Sequence, residues 1–135
     1  MKRFNPVMMP AAYTFELELP GGLQTAQQVP VGDIAFLRDK KIIGVSTVDA
    51  STTLTAPSGN TVLSTVSDLY ITLVDKKDSF EFLDNIPLAD IASVKYYRPP
   101  YMFKARNVNF ELSFINCATN ANAGQSVLLT FYYIP

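Results

Sequence analysis

The chain has 135 residues, a formal net charge of −1, 17% charged residues and no histidine. This length fits one domain with a single core. The weak net charge provides no basic field to hold a nucleic-acid backbone, and a chain without histidine lacks most Ser-His, Cys-His and zinc chemistry.

The first eleven residues predict an extended N-terminal arm. Residues 1–11 contain two prolines and three methionines, a composition that does not suit a packed element. The arm is either a frayed terminus or a segment that lies across a neighbouring subunit and buries Phe4, Met8 and Met9. The start of the chain has no apolar signal-peptide stretch, and no run is long enough to span a membrane. We therefore expect a soluble protein synthesised in a cytoplasm.

Two hairpins are predicted in the first two thirds of the chain, after an initial strand. Tyr13–Leu19 alternates apolar and polar residues, which predicts a half-buried strand. Asp33–Leu37 and Ile42–Val48, joined by a polar turn, predict a hairpin. Leu69–Val74 predicts a strong strand, whose turn leads into Ser79–Leu83 and makes a second hairpin. Pro87 then favours a single helical turn that closes one end of a sheet.

The end of the chain predicts a pair of strands. Val108–Phe114 alternates strictly, which is typical of a strand with one wet face, whereas Val127–Pro135 is apolar on both faces and predicts an enclosed strand. Tyr101–Ala105 is interpreted as a connection. About eight strands, with turn signals at short intervals and no sustained helical period, predict an all-β antiparallel β-sandwich formed by residues 12–135. Long loops between the strands favour a single jelly roll.

The residues give little sign of catalysis. Glu16 and Glu18 alternate with a full apolar row, so they are interpreted as a solvated face and not as the acid pair of a glycosidase. Cys117 has no histidine to activate its thiol and is interpreted as a buried or idle thiol, not as a nucleophile. No glycine-rich phosphate loop is present in the sequence. We expect no enzyme activity, no cofactor and no metal.

The segment 96–103, Tyr-Tyr-Arg-Pro-Pro-Tyr-Met-Phe, is the best sequence candidate for a binding surface. Tyrosine and arginine are enriched at the centres of protein interfaces, and the prolines stiffen the backbone. We expect Tyr97, Tyr101 and Phe103 to contact a partner. The alternatives are a carbohydrate- or receptor-binding module that uses the same residues, or a loop whose aromatic side chains fold back onto the core.

The run Leu69–Asp75 leading to Asn85–Leu88, with the proline-containing arm and the sheet-forming C-terminus, resembles small jelly-roll virion proteins of bacteriophages. The likeness is architectural and rests on no motif. It implies a capsid-type subunit, whether minor, vertex or decorating, that assembles with itself and with other virion proteins and is located in the virion. The weak net charge and the lack of a long apolar run lead us to expect no specific nucleic-acid partner and no membrane partner.

Overall fold

The computed structural model of the chain describes residues 11–19, 27–48, 55–62, 69–93, 100–117 and 124–135. These residues form ten β-strands and two single turns of 3₁₀ helix, so the prediction of an all-β chain is confirmed. The strands are β1 (Ala11–Leu19), β2 (Gln27–Pro30), β3 (Lys41–Val48), β4 (Thr61–Val62), β5 (Leu69–Val74), β6 (Glu81–Pro87), β7 (Ala92–Ser93), β8 (Tyr101–Arg106), β9 (Phe114–Cys117) and β10 (Gln125–Ile134). The 3₁₀ turns are Ala35–Leu37 and Leu88–Ile91.

The larger of the two sheets is built around β10. Its order is β1-β10-β3, with β7 and β8 along the far side of β3 and the two-residue β4 beside β10. β1 and β10 are antiparallel over nine consecutive pairs, from Ala11 opposite Tyr133 to Leu19 opposite Gln125. β10 lies between β1 and β3, and the face that carries Val127, Leu129 and Phe131 is buried in the core, whereas the alternate residues Leu128, Thr130 and Tyr132 are half-buried.

The smaller sheet has the order β2-β9-β5-β6, and all its pairs are antiparallel. The predicted hairpin of Leu69–Val74 with the following strand is confirmed as β5 and β6. Both outer strands of this sheet carry features that hinder further pairing. Pro30 ends β2, and Asn85 in β6 has a positive φ of 53° close to a shift in register.

The two sheets share one hydrophobic core, so the arrangement is β-sandwich-like. Leu17 and Leu19 of β1 are buried, and Tyr13 and Phe15 pack partly against the core, as the alternation of that strand predicted. Other fully buried members come from both sheets and include Ile42, Val45, Ile71, Leu73, Ile115, Val127, Leu129 and Phe131.

The hairpin predicted over residues 33–48 is wrong in its first half. Residues 35–37 form a 3₁₀ turn, and only Lys41–Val48 is a strand. Gly32 has a φ of +84°, and the Asp33 carboxylate accepts hydrogen bonds from Arg38, which closes the turn. The chain here crosses from β2 in one sheet to β3 in the other, so no strand is available to pair within a hairpin.

The predicted terminal strand pair is also wrong. Residues 110–112 form a turn in which the Asn109 side-chain oxygen accepts a hydrogen bond from the Leu112 amide. The strand therefore begins only at Phe114, and β9 pairs with β2 and β5 in the sheet that does not contain β10. The interpretation of Tyr101–Ala105 as a connection is wrong as well, because these residues belong to β8.

Candidate interaction surfaces

The outer strand β8 exposes two apolar side chains in succession. Tyr101 is 40% exposed and Met102 is 51% exposed. Successive residues of a strand point to opposite faces of the sheet, so neither face of β8 is fully covered at this point. Phe103 is half-buried instead, and its ring centroid lies 5.0 Å from that of Phe82 on β6. Tyr101 is thus the more accessible of the two predicted contact residues that the structure describes.

Gly44 on β3 allows β8 to approach closely. A Cβ atom at this position would lie 2.7 Å from the Met102 Sδ atom and 3.2 Å from the Tyr101 carbonyl oxygen. A larger residue would require the Met102 side chain to move and the Tyr101 carbonyl group to shift slightly away from β3. The close approach depends on a residue 57 positions before Tyr101 in the chain, so the segment 96–103 gives no local signal for it.

A second aromatic cluster lies at the end of the sandwich where β1 begins and β10 ends. The ring of Phe36, from the first 3₁₀ turn, stacks on Tyr13 at 4.9 Å and meets Tyr133 edge-on at 5.5 Å. The Lys40 ammonium lies 5.5 Å and 5.9 Å from the Phe36 and Tyr133 ring centroids. The sequence prediction missed Phe36 as a surface residue because it placed this residue in a strand.

An ion pair links the β5–β6 turn to the end of β8. Arg106 Nη1 donates to Asp75 Oδ2 at 2.9 Å, and Asp75 Oδ1 accepts from the backbone amides of Lys77 and Asp78. The hydrogen bond from Arg106 is the main reason that the pKa of Asp75 lies below its ordinary value, and the two amides lower it further. The ion-pair partners are 31 residues apart in the chain, and no sequence motif indicated the pair.

On the outer face of the larger sheet, Glu16 is tied to two serines. Its carboxylate accepts hydrogen bonds from the Ser58 hydroxyl and from Ser126 Oγ, the latter at 2.8 Å. These hydrogen bonds, led by that from Ser58, lower the pKa of Glu16. Glu16 thus holds the loop that contains Ser58 onto the sheet, whereas Glu18 is exposed, as predicted.

The other predicted contact residues, Phe4, Met8, Met9 and Tyr97, lie outside the described residues. Within the ranges that the structure describes, no group of three or more His, Cys, Asp or Glu side chains is placed to hold a metal ion. No helix in those ranges has the length and apolar character needed to cross a membrane.

The chain was compared with protein-family models, with curated proteins and with solved structures, and none of the three comparisons found a match.

Proposed function

We propose that the chain is a structural virion protein, a capsid-type subunit that acts by self-assembly and by contacts with neighbouring capsid proteins, and that its two sheets form a jelly roll. The strand pairing is the observation that carries the proposal. When the two-residue strands β4 and β7 are set aside, eight of the described strands remain. The first pairs with the last (β1 with β10), the second with the seventh (β2 with β9), the third with the sixth (β3 with β8) and the fourth with the fifth (β5 with β6).

All four of these pairs are antiparallel, which is the pattern of one long hairpin rolled up so that its halves form two sheets. Two further antiparallel contacts, β10 with β3 and β9 with β5, join the pairs into the two four-strand layers expected of a jelly roll. This fold is used by viral capsid proteins, and also by lectins and cupins, so the fold alone does not define the activity.

The exposed apolar surface supports assembly over a solitary role. Tyr101 and Met102 are successive exposed residues on opposite faces of β8, which pairs only with β3 among the described strands. An outer strand with exposed apolar side chains tends to be covered by another molecule, because uncovered edges promote uncontrolled association. A specific contact of this kind needs about 800 Å² on each partner. The N-terminal residues Phe4, Met8 and Met9 would contribute part of this area from the neighbouring subunit.

Removing the N-terminal arm tests the proposal. A chain lacking residues 1–10 is compared with the full chain by light scattering from about 10 µM to 1 mM. We expect the mass of the full chain to rise with concentration and that of the shortened chain to rise less. At a concentration where both proteins are monomeric, their thermal midpoints should agree within about 2 °C, because the deletion ends before β1.

Two substituted chains of full length distinguish the effect of losing the apolar side chains from the effect of shortening the chain. In the first, Phe4, Met8 and Met9 are changed to serine, and in the second, Lys2, Arg3 and Asn5 are changed to serine as a matched control. We expect the first to assemble as weakly as the shortened chain and the second to assemble like the unmodified protein. A full-length chain that stays monomeric at millimolar concentration would contradict the proposed function. If the full chain, the shortened chain and the two substituted chains all assemble equally, only the proposed role of the arm is contradicted.

A further inference from the structure

A cationic groove lies at the end of the sandwich where the β5–β6 turn meets the end of β8. Its volume is about 210 Å³. Four basic side chains line it, from Lys41, Lys77, Lys104 and Arg106, against two carboxylates from Asp75 and Asp78. The groove therefore carries a local excess of positive charge on a chain whose net charge is −1.

Arg106 is the fixed element of this groove. Its guanidinium carbon lies 5.0 Å from the Phe80 ring centroid and 5.2 Å from that of Phe82. Among the described residues, Asp75 is the one hydrogen-bond partner of the Arg106 guanidinium, from which it accepts a single hydrogen bond. A guanidinium has five N–H donors, so a positioned group with donors to spare is available for an oxygen anion.

The lysines supply charge that no described carboxylate neutralises. Lys41, Lys77 and Lys104 are exposed, and the only ion pairs among the described residues are Arg38 with Asp33 and Arg106 with Asp75. Asp75 is already engaged by Arg106 and by two backbone amides, which leaves Asp78 as the one other acidic group of the groove. The three lysines line one depression, so an anion bound there would be attracted by all of them.

An aromatic ring stands beside these charges. Phe80 is 42% exposed although one of its faces is close to Arg106. Pockets that bind small ligands combine apolar or aromatic walls with a few charged groups that fix orientation. Phe80 does not line the groove itself but contacts Arg106, which does, so an apolar surface lies at the edge of the cationic cluster. This arrangement matches a ring that carries anionic substituents.

We propose that this groove binds an anionic saccharide, whose sulfate or carboxylate groups contact Arg106 and the three lysines while the sugar ring packs on Phe80. A nucleic acid fits the observations less well, because its backbone requires an extended basic stripe and the four cations here are confined to one groove. The inference does not rest on the proposed structural role, since it concerns a site of the single chain.

Calorimetric titration with a heparin-derived tetrasaccharide tests the proposal, with an uncharged dextran of equal length as the reference ligand. Lys77→Gln and Lys104→Gln are combined in one protein. The matched control combines Lys40→Gln and Lys76→Gln, which removes the same charge from exposed or half-exposed lysines that do not line the groove. We expect the groove variant to bind the tetrasaccharide about tenfold more weakly and the control less than about threefold more weakly. Dextran should not bind.

A hyaluronan oligosaccharide, which carries only carboxylates, distinguishes the two sources of the anion. Binding of either charged saccharide that is lost in the groove variant supports the proposal and assigns the anionic group. Equal weakening in the two variants would overturn it, because the attraction would then be diffuse. Failure of both charged saccharides to bind at millimolar concentration, or tighter binding of single-stranded DNA than of either, would also overturn it. These outcomes are independent of the light-scattering test of assembly, so either proposal can fail without the other.

Discussion

Truncating one buried and one exposed aromatic side chain should have different effects on stability, because the first belongs to the core and the second to the proposed contact surface. Phe131 lies at the centre of β10, is fully buried, and meets Phe110 edge-on with the ring centroids 5.1 Å apart. Removing such a ring leaves a cavity, and Phe131→Ala should lower the free energy of unfolding by about 3 to 5 kcal/mol. Tyr101 is 40% exposed, so Tyr101→Ala should lower it by no more than about 0.5 kcal/mol.

The melting entropy of the domain converts these energies into temperatures. At about 2.1 cal/mol/K per residue, 135 residues give about 0.28 kcal/mol/K. Phe131→Ala should therefore lower Tm by about 11 to 18 °C and Tyr101→Ala by less than about 2 °C. Scanning calorimetry at a concentration where the protein is monomeric measures both values.

The two variants should also differ in assembly. Tyr101→Ala should reduce the rise of mass with concentration in light scattering, because the side chain is part of the proposed contact on β8. A Tm loss of more than about 5 °C for Tyr101→Ala, or of less than about 5 °C for Phe131→Ala, would refute the assignment of these residues to surface and core. Unchanged assembly of Tyr101→Ala would refute only its role in the contact.

Three further predictions concern polar contacts and close packing. Asp75→Asn keeps an oxygen for the two turn amides but removes the charge that faces Arg106, so it should be less stable than the unmodified protein at pH 7. The pKa of Asp75 is lowered from 3.8, so this stabilisation is complete above that pH and is lost as the pH falls through the lower folded-state pKa. The Tm difference between the two proteins should therefore shrink below about pH 4, and a difference that is constant with pH would contradict the prediction. Gly44→Ala should lower the free energy of unfolding by about 1 to 3 kcal/mol in urea titration, because the Tyr101 carbonyl oxygen leaves too little room for a Cβ, and a neutral effect would show that β8 shifts freely. Ser126→Ala removes a fully buried hydroxyl that bonds to two side chains and should cost about 1 to 3 kcal/mol in the same titration, so a cost below about 0.5 kcal/mol would mean that those bonds contribute little.

Local patterns in the sequence predicted the strands in which each face keeps the same degree of burial along the whole strand. Tyr13–Leu19 and Leu69–Val74 are strands as predicted, because alternation and continuous apolar character are direct consequences of half-burial and full burial. The hairpin turn after Leu69–Val74 was also predictable, because Asp75 forms its turn with amides two and three residues ahead. In the turn at 110–112 the chain changes direction, although the alternation of apolar and polar residues continues through it in the sequence. The pattern alone therefore predicted a strand where the structure has a turn.

The pairing of strands and the candidate sites were decided only in the tertiary structure. Nothing near Arg106 in the chain indicates Asp75, and Phe80 and Phe82 contact Arg106 only because β6 and β8 meet at one side of the sandwich. The last strand was predicted to pair with Val108–Phe114, whereas β10 pairs with β1 across the whole length of the chain. Residue patterns report the environment of each strand, and many partners supply the same environment. Which partner is chosen depends on how all the apolar faces are buried together in one core.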